Sequence, residues 1–153
     1  MSAEAHSDEQ GMAASRFRLR QPPRNGWGDV LGDVHAAFDG DLDMDARLRE
    51  RAETYSRRQQ ESALGPQPPA VRFDDAASSN ATVIEVHAPD RVGLLRDVSK
   101  VFADERLDIR HARIVTLGDN VVDTFYVRDA NGKKVNDIAR QQSLAARLLA
   151  AVA

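Results

Sequence analysis

The sequence predicts an α+β fold in which one antiparallel sheet carries two helices on one of its faces, and three observations predict it. In residues 82–88, Ile84 and Val86 alternate with Glu85 and His87, the period of a strand with one buried face. Next, Leu94, Leu95, Val98, Val101 and Phe102 recur at three- and four-residue steps, which line up on one side of a helix. Residues 107–117 and 121–128 are β-rich runs on either side of Gly118-Asp119-Asn120, a turn composition that makes them a hairpin.

The totals bound what such a fold can do. A chain of 153 residues supports one ordinary domain, or a small domain with extensions. It is 42% hydrophobic and 29% charged with net charge −3, a soluble globular composition that offers no basic field to nucleic acid. The absence of cysteine excludes disulfides, thiolate metal ligands and thiol catalysis. No apolar run approaches the roughly 20 residues of a membrane span. Residues 1–11 lack the basic and apolar regions of a signal peptide. A cytoplasmic protein is expected, with no membrane or nucleic-acid partner.

Taken in order, residues 1–11 are small, polar and aperiodic, and disorder is expected there. Residues 12–20 read as a short strand, Phe17 and Leu19 alternating with Arg16, Arg18 and Arg20. The prolines and Asn-Gly step of Gln21-Pro22-Pro23-Arg24-Asn25-Gly26 then stop it. From Trp27, the residues Val30, Leu31, Val34 and Phe38 share a helical face that Gly40 ends. Residues 43–60 suit a charged helix with a thin stripe of Met44, Leu48, Ala52 and Tyr55; its arginines and acids are mixed, as on a solvated linker. Gly65, Pro66, Pro68 and Pro69 make residues 62–69 a linker and the clearest domain boundary.

Beyond that boundary, residues 70–74 read as a strand and 75–81 as a polar loop. Pro89 closes the strand 82–88, and Asp90 is placed to cap the following helix. After a turn at Asp129-Ala130-Asn131-Gly132, a last helix carries Ile138, Leu144, Ala145, Leu148, Leu149 and Val152. Strand, helix, strand, strand, helix is a ferredoxin-like half-open sandwich without its final strand. Residues 70–74 precede the first strand by a short loop, so a hairpin there fills the empty edge in the same direction. A weak internal repeat sets Phe17-Arg18-Leu19-Arg20 and its following helix against Phe125-Tyr126-Val127-Arg128 and the last helix.

The residues Thr82-Val83-Ile84-Glu85-Val86, Asp90-Arg91-Val92-Gly93-Leu94-Leu95, Asp108-Ile109-Arg110, Ala112-Arg113-Ile114 and Val122-Asp123-Thr124-Phe125-Tyr126-Val127 together resemble an ACT domain. More narrowly, they resemble the carboxy-terminal ACT domain of bacterial PII-protein uridylyltransferase/uridylyl-removing enzymes, over residues 12–153 and most strongly after residue 70. The resemblance implies a regulatory module that senses an amino acid, glutamine in that family, within nitrogen regulation. It also implies the domain scheme: 1–11 disordered, 12–40 the remnant of a first ACT domain, 41–69 charged helix and linker, 70–153 an ACT domain. The family's Gly-Ser-Asp-x-Asp nucleotidyltransferase site and His-Asp hydrolase pair have no counterpart here, so no enzyme and no cofactor are expected. Val92 stands where the family motif usually has proline.

The expected ligand site is the strand-to-helix loop of Asp90, Arg91, Val92, Gly93 and Leu94, together with Asp123. Backbone N–H groups at a helix start attract a carboxylate, Gly93 permits close backbone approach, and Asp90 or Asp123 can pair with an α-ammonium. The bland alternative makes Asp90 a helix cap, Gly93 a packing glycine and Asp123 a surface acid. Arg91 and Arg113 are candidate partners for a ligand carboxylate. His6, His35, His87 and His111 show no metal-ligand spacing. Asp41, Asp43 and Asp45 are no calcium loop, since Ala46 and Ala52 stand where glycine and glutamate are required. The rival reading is an interaction module that binds no ligand and uses Val83, Glu85 and His87 on the uncovered sheet face to pair with another ACT domain, a second copy of the chain included.

Overall fold

The computed structural model describes residues 2–19, 21–23, 26–56 and 67–153. The elements are β1 (Ser2–Ser7), β2 (Ala13–Arg18), α1 (Trp27–Asp39), α2 (Met44–Ser56), β3 (Ala70–Asp74), β4 (Thr82–Pro89), α3 (Leu94–Asp104), β5 (Asp108–Leu117), β6 (Asn120–Arg128) and α4 (Ile138–Val152). The strands form one six-stranded sheet in the order β2-β1-β5-β6-β4-β3, and every neighbouring pair is antiparallel. The α+β, ferredoxin-like expectation holds. The edge beside β4 is filled by β3, Val71 pairing with Val86 and Phe73 with Ile84.

Registers explain why one face is dry. Ile84, Phe125 and Ala112 lie across from one another, as do Val86, Asp123 and Ile114, and all six are buried. Against them pack Leu94, Val98, Val101 and Phe102 of α3 and Leu144, Leu148 and Val152 of α4. Phe102 and Phe125 meet edge to face with ring centroids 5.0 Å apart, which locks helix to sheet at the centre. The hairpin β5–β6 closes over Gly118 and Asp119, Leu117 pairing with Asn120. Gly118 sits at φ 63, a conformation tight hairpin turns reserve for glycine.

The disorder expected over residues 1–11 is overturned. Ser2–Ser7 is a strand, because β5 would otherwise present an open edge and β1 pairs along it from Ser2 with Val115 to His6 with His111. Ala3 is buried and Ala5 packs against the core, so β1 adds its inward face to the dry side of the sheet. The turn into β2 is built by Asp8, whose side chain accepts from the N–H groups of Gln10 and Met12, each at 2.9 Å. The expected strand over 12–20 is seen as β2, and the expected helix from Trp27 as α1, which ends on Gly40 at φ 81. The charged helix expected over 43–60 is seen as α2; residues 57–60, and 62–66 of the expected linker, lie outside the described residues. Among the described residues no helix is long and apolar enough to cross a membrane.

Candidate functional site

The loop between β4 and α3 does not start its helix at Asp90. Leu94 is the first helical residue, Gly93 at φ 86 precedes it, and no side chain caps the helix. Asp90 is therefore not the N-cap the sequence suggested. A left-handed glycine reverses the chain first, and the N–H of Leu94 donates to the carbonyl of Arg91 at 3.3 Å. The N–H of Asp90 donates to the carbonyl of Asp119 at 2.7 Å, which ties the loop to the tip of the β5–β6 hairpin. The conformation makes a direct demand on residue 93. Gly93→Val is expected to destabilise the fold by about 1–3 kcal/mol, since a β-branched residue resists positive φ. Gly93→Ala should fall at the lower end of that range, because the nearest atom to an added Cβ would be Leu48 Cδ1 at 3.8 Å, ordinary contact. Urea denaturation of both variants, with Gly28→Ala of α1 as an unstrained control, checks this.

The structure brings Asp123 to the loop, as the antiparallel register requires. Pro89 pairs with Asn120 and Val86 with Asp123, so the end of β4 and the start of β6 lie side by side. Asp123 is 2% exposed and is no surface acid. Its neighbours at the same sheet parity are Val121, Phe125 and Val127, all buried, and this run was the signal in the sequence that an acid occupies a core position. Burial pushes its carboxyl up to about 6 from 3.8; the bond it accepts from the N–H of Val115 at 3.3 Å pulls the other way, and the negative charge of Asp90 raises it further. The two acids thus lie near enough to interact, as the sequence suggested.

The remaining candidates divide. Leu94 turns its side chain into the core, leaving its backbone to the loop, while Val92 and Gly93 are half-buried. Arg91 reaches across the helices: one guanidinium nitrogen donates to the carbonyl of Ala151 at 2.6 Å and another pairs with Asp97 at 2.8 Å. A cation on the last turn of α4 is favourable there. Arg113 does not join the site. It lies across from Thr124 and Glu4, on the opposite sheet face from Ile114 and Asp123, because neighbouring strand residues point to opposite sides.

The sequence did not show that α2 reaches the loop. Leu48 lies beside Gly93, Asp45 pairs with Arg96 of α3, and Arg47 pairs with Asp33 of α1 at 3.1 Å. The uncovered face carries a different arrangement: the rings of His6, His111 and Tyr126 form a ladder with centroids 4.4 and 5.2 Å apart, and His87 pairs with Glu85. Among the described residues no group of three or more His, Cys, Asp or Glu side chains could hold a metal ion.

A split βαβ sheet with a glycine-bearing loop between its first strand and helix defines the class. Residues 70–153 match the model of the ACR9-like, ACT-like domain, and the chain belongs to the ACT-like domain family. Within that class it is similar to proteins named bifunctional uridylyltransferase/uridylyl-removing enzyme. It is 36% identical to the one from Gluconobacter oxydans over 160 residues, covering 99% of this chain and 16% of that protein. It is 43% identical to the Streptomyces coelicolor enzyme over 103 residues (67% of this chain, 12% of that protein) and 44% identical to that of Caulobacter vibrioides over 84 (55% and 9%). The chain thus spans less than a fifth of the length of these relatives. No solved structure matches it.

Proposed function

We propose that the chain is a regulatory ACT module of a PII uridylyltransferase, that it acts in the cytoplasm within nitrogen regulation, and that it binds a free amino acid, glutamine first among the candidates. The single observation that carries the reading is the acid pair at the loop: a buried Asp123 with a raised pKa, beside Asp90 and the backbone of residues 91–94. An α-ammonium there places positive charge beside the buried Asp123 carboxyl, and a carboxylate meets the N–H groups at the start of α3. Ligand binding shifts the population between packings of the module and its neighbours, and the coupling is limited by the difference in affinity between those packings. Because α2 leans on the loop through Leu48 and on α3 through the Asp45–Arg96 pair, it is the element whose position a ligand would change. Residues 12–40 are, on this reading, the remnant of a first ACT domain, and catalysis belongs to other parts of the parent enzymes.

The test is calorimetric titration of the whole chain with glutamine, glutamate and a panel of other amino acids, repeated on Asp90→Ala and Gly93→Val. Saturable binding that both variants lose is expected. Below pH 6 the affinity should fall as Asp123 takes up a proton, by up to tenfold per pH unit. No heat with any amino acid, from a protein shown to be folded, would sink the reading. It would favour instead a pairing module, for which the specific observation is the uncovered face, where Glu85 and His87 lie beside the His6, His111 and Tyr126 ladder; Val83, expected on that surface too, is buried at 5% exposure and offers no contact area.

A further inference from the structure

We propose that His6 and His111 hold a divalent transition-metal ion between them, and that the bound ion clips β1 to β5. The pair stands on the uncovered face of the sheet, the side away from Asp123. Spacing along the chain does not reveal it, because only the register of β1 on β5 sets His6 directly opposite His111.

The ring centroids are 4.4 Å apart. An ion about 2.0–2.1 Å from an imidazole nitrogen lies about 3.2 Å from that ring's centroid, so rings at this separation subtend about 90° at a shared ion. That is the angle between neighbouring ligands in the tetragonal shell that copper and nickel favour. His111 is already oriented for the task. Its Nδ1 donates to the carbonyl of Ala5 at 3.2 Å, and since a carbonyl only accepts, the neutral ring keeps the lone pair of Nε2 for a metal. The ring of Tyr126, on the strand beyond, backs His111 from the other side at 5.2 Å. His6 is exposed, so its ring can turn a nitrogen to the same point.

The chemistry of the pair selects the metal. Imidazole suits copper, nickel and zinc, whereas calcium and magnesium need oxygen ligands that the pair lacks. Two protein ligands are fewer than the three or four of zinc sites, so water fills the rest of the shell and affinity falls well below that of a structural zinc. Arg113, two residues along β5 on the same face, opposes a cation, and Glu4, directly across from Arg113, offsets it. The other histidines lack the arrangement: His87 is paired with Glu85, and His35 lies on α1. The consequence is mechanical. An ion shared by two strands has to be released before one of them can leave, so metal binding is linked to the docking of hairpin β1–β2 on the sheet.

Titration of the whole chain with copper(II), nickel(II), zinc(II) and magnesium(II), followed by two-dimensional NMR, tests this. One-to-one binding is expected, tightest for copper and absent for magnesium. Paramagnetic broadening by copper should centre on His6 and His111. Binding should survive His35→Ala and His87→Ala and vanish in His6→Ala and in His111→Ala. Because His6 is exposed, His6→Ala should keep the fold even if His111→Ala does not. With nickel at ten times its dissociation constant, hydrogen exchange of the β1 amides should slow about tenfold, and in His6→Ala not at all. Broadening centred elsewhere than on the pair, binding that outlasts His6→Ala, or β1 exchange indifferent to nickel overturns the proposal.

Discussion

Phe125→Ala is expected to remove about 3–5 kcal/mol of folding stability, roughly a fifth or more of the about 5–15 kcal/mol that a domain has. The residue is 1% exposed, sits on the central strand β6 between Ile84 and Ala112, and meets Phe102 of α3 edge to face. Truncation deletes the ring and leaves a cavity that rigid strands on both sides keep from collapsing. Phe102→Ala should cost a similar amount, and the double variant less than the sum, by about 0.5–1.5 kcal/mol for the lost ring pair. Thermal and urea unfolding of the four proteins close the cycle. Strict additivity would mean that the two rings stabilise sheet and helix separately. The consequence for the site is direct, because Asp123 is two residues before Phe125 on the same face of the same strand.

Most of the sheet was legible because its strands announce themselves by parity. Ile84 and Val86 against Glu85 and His87, and Val121, Phe125 and Val127 within β6, fix which face is dry before any coordinate is known. The edge strand β3 was legible from connectivity alone, since a short loop before β4 leaves only one open edge. What the sequence hid were features decided by tertiary pairing or by a single backbone angle. Strand β1 has no β-branched residue and none of Phe, Tyr or Trp, and it is a strand because β5 offers an edge along which it pairs. Its turn signal, Asp8 to Gly11, was present and read as disorder. The start of α3 was misplaced because Gly93 at φ 86 adds a reversal between Asp90 and the helix. Arg91 and Arg113 look alike as exposed cations near the loop, yet one is held by Ala151 and Asp97 and the other lies on the far face.

Asp123→Asn is expected to stabilise the protein at pH 7 and to flatten its pH profile. The carboxyl titrates near 6 in the folded chain against 3.8 unfolded, so between those values the native state holds more protons than the unfolded one. Stability from this group is therefore full below pH 3.8, falls as pH rises through 6, and is level above it. At 1.36 kcal/mol per pKa unit the change amounts to about 3 kcal/mol. An amide keeps an oxygen to accept from the N–H of Val115 and carries no charge to bury, so most of the penalty at pH 7 should vanish. Other carboxylates shape the acid limb of both proteins alike, and subtracting the two urea-derived profiles isolates Asp123. Parallel profiles would show that the acid is solvated in the native state. If the variant is the more stable protein and the one that no longer binds amino acids, the strained acid is kept for the ligand, because a buried charge that costs stability in the empty module is what an ammonium would relieve.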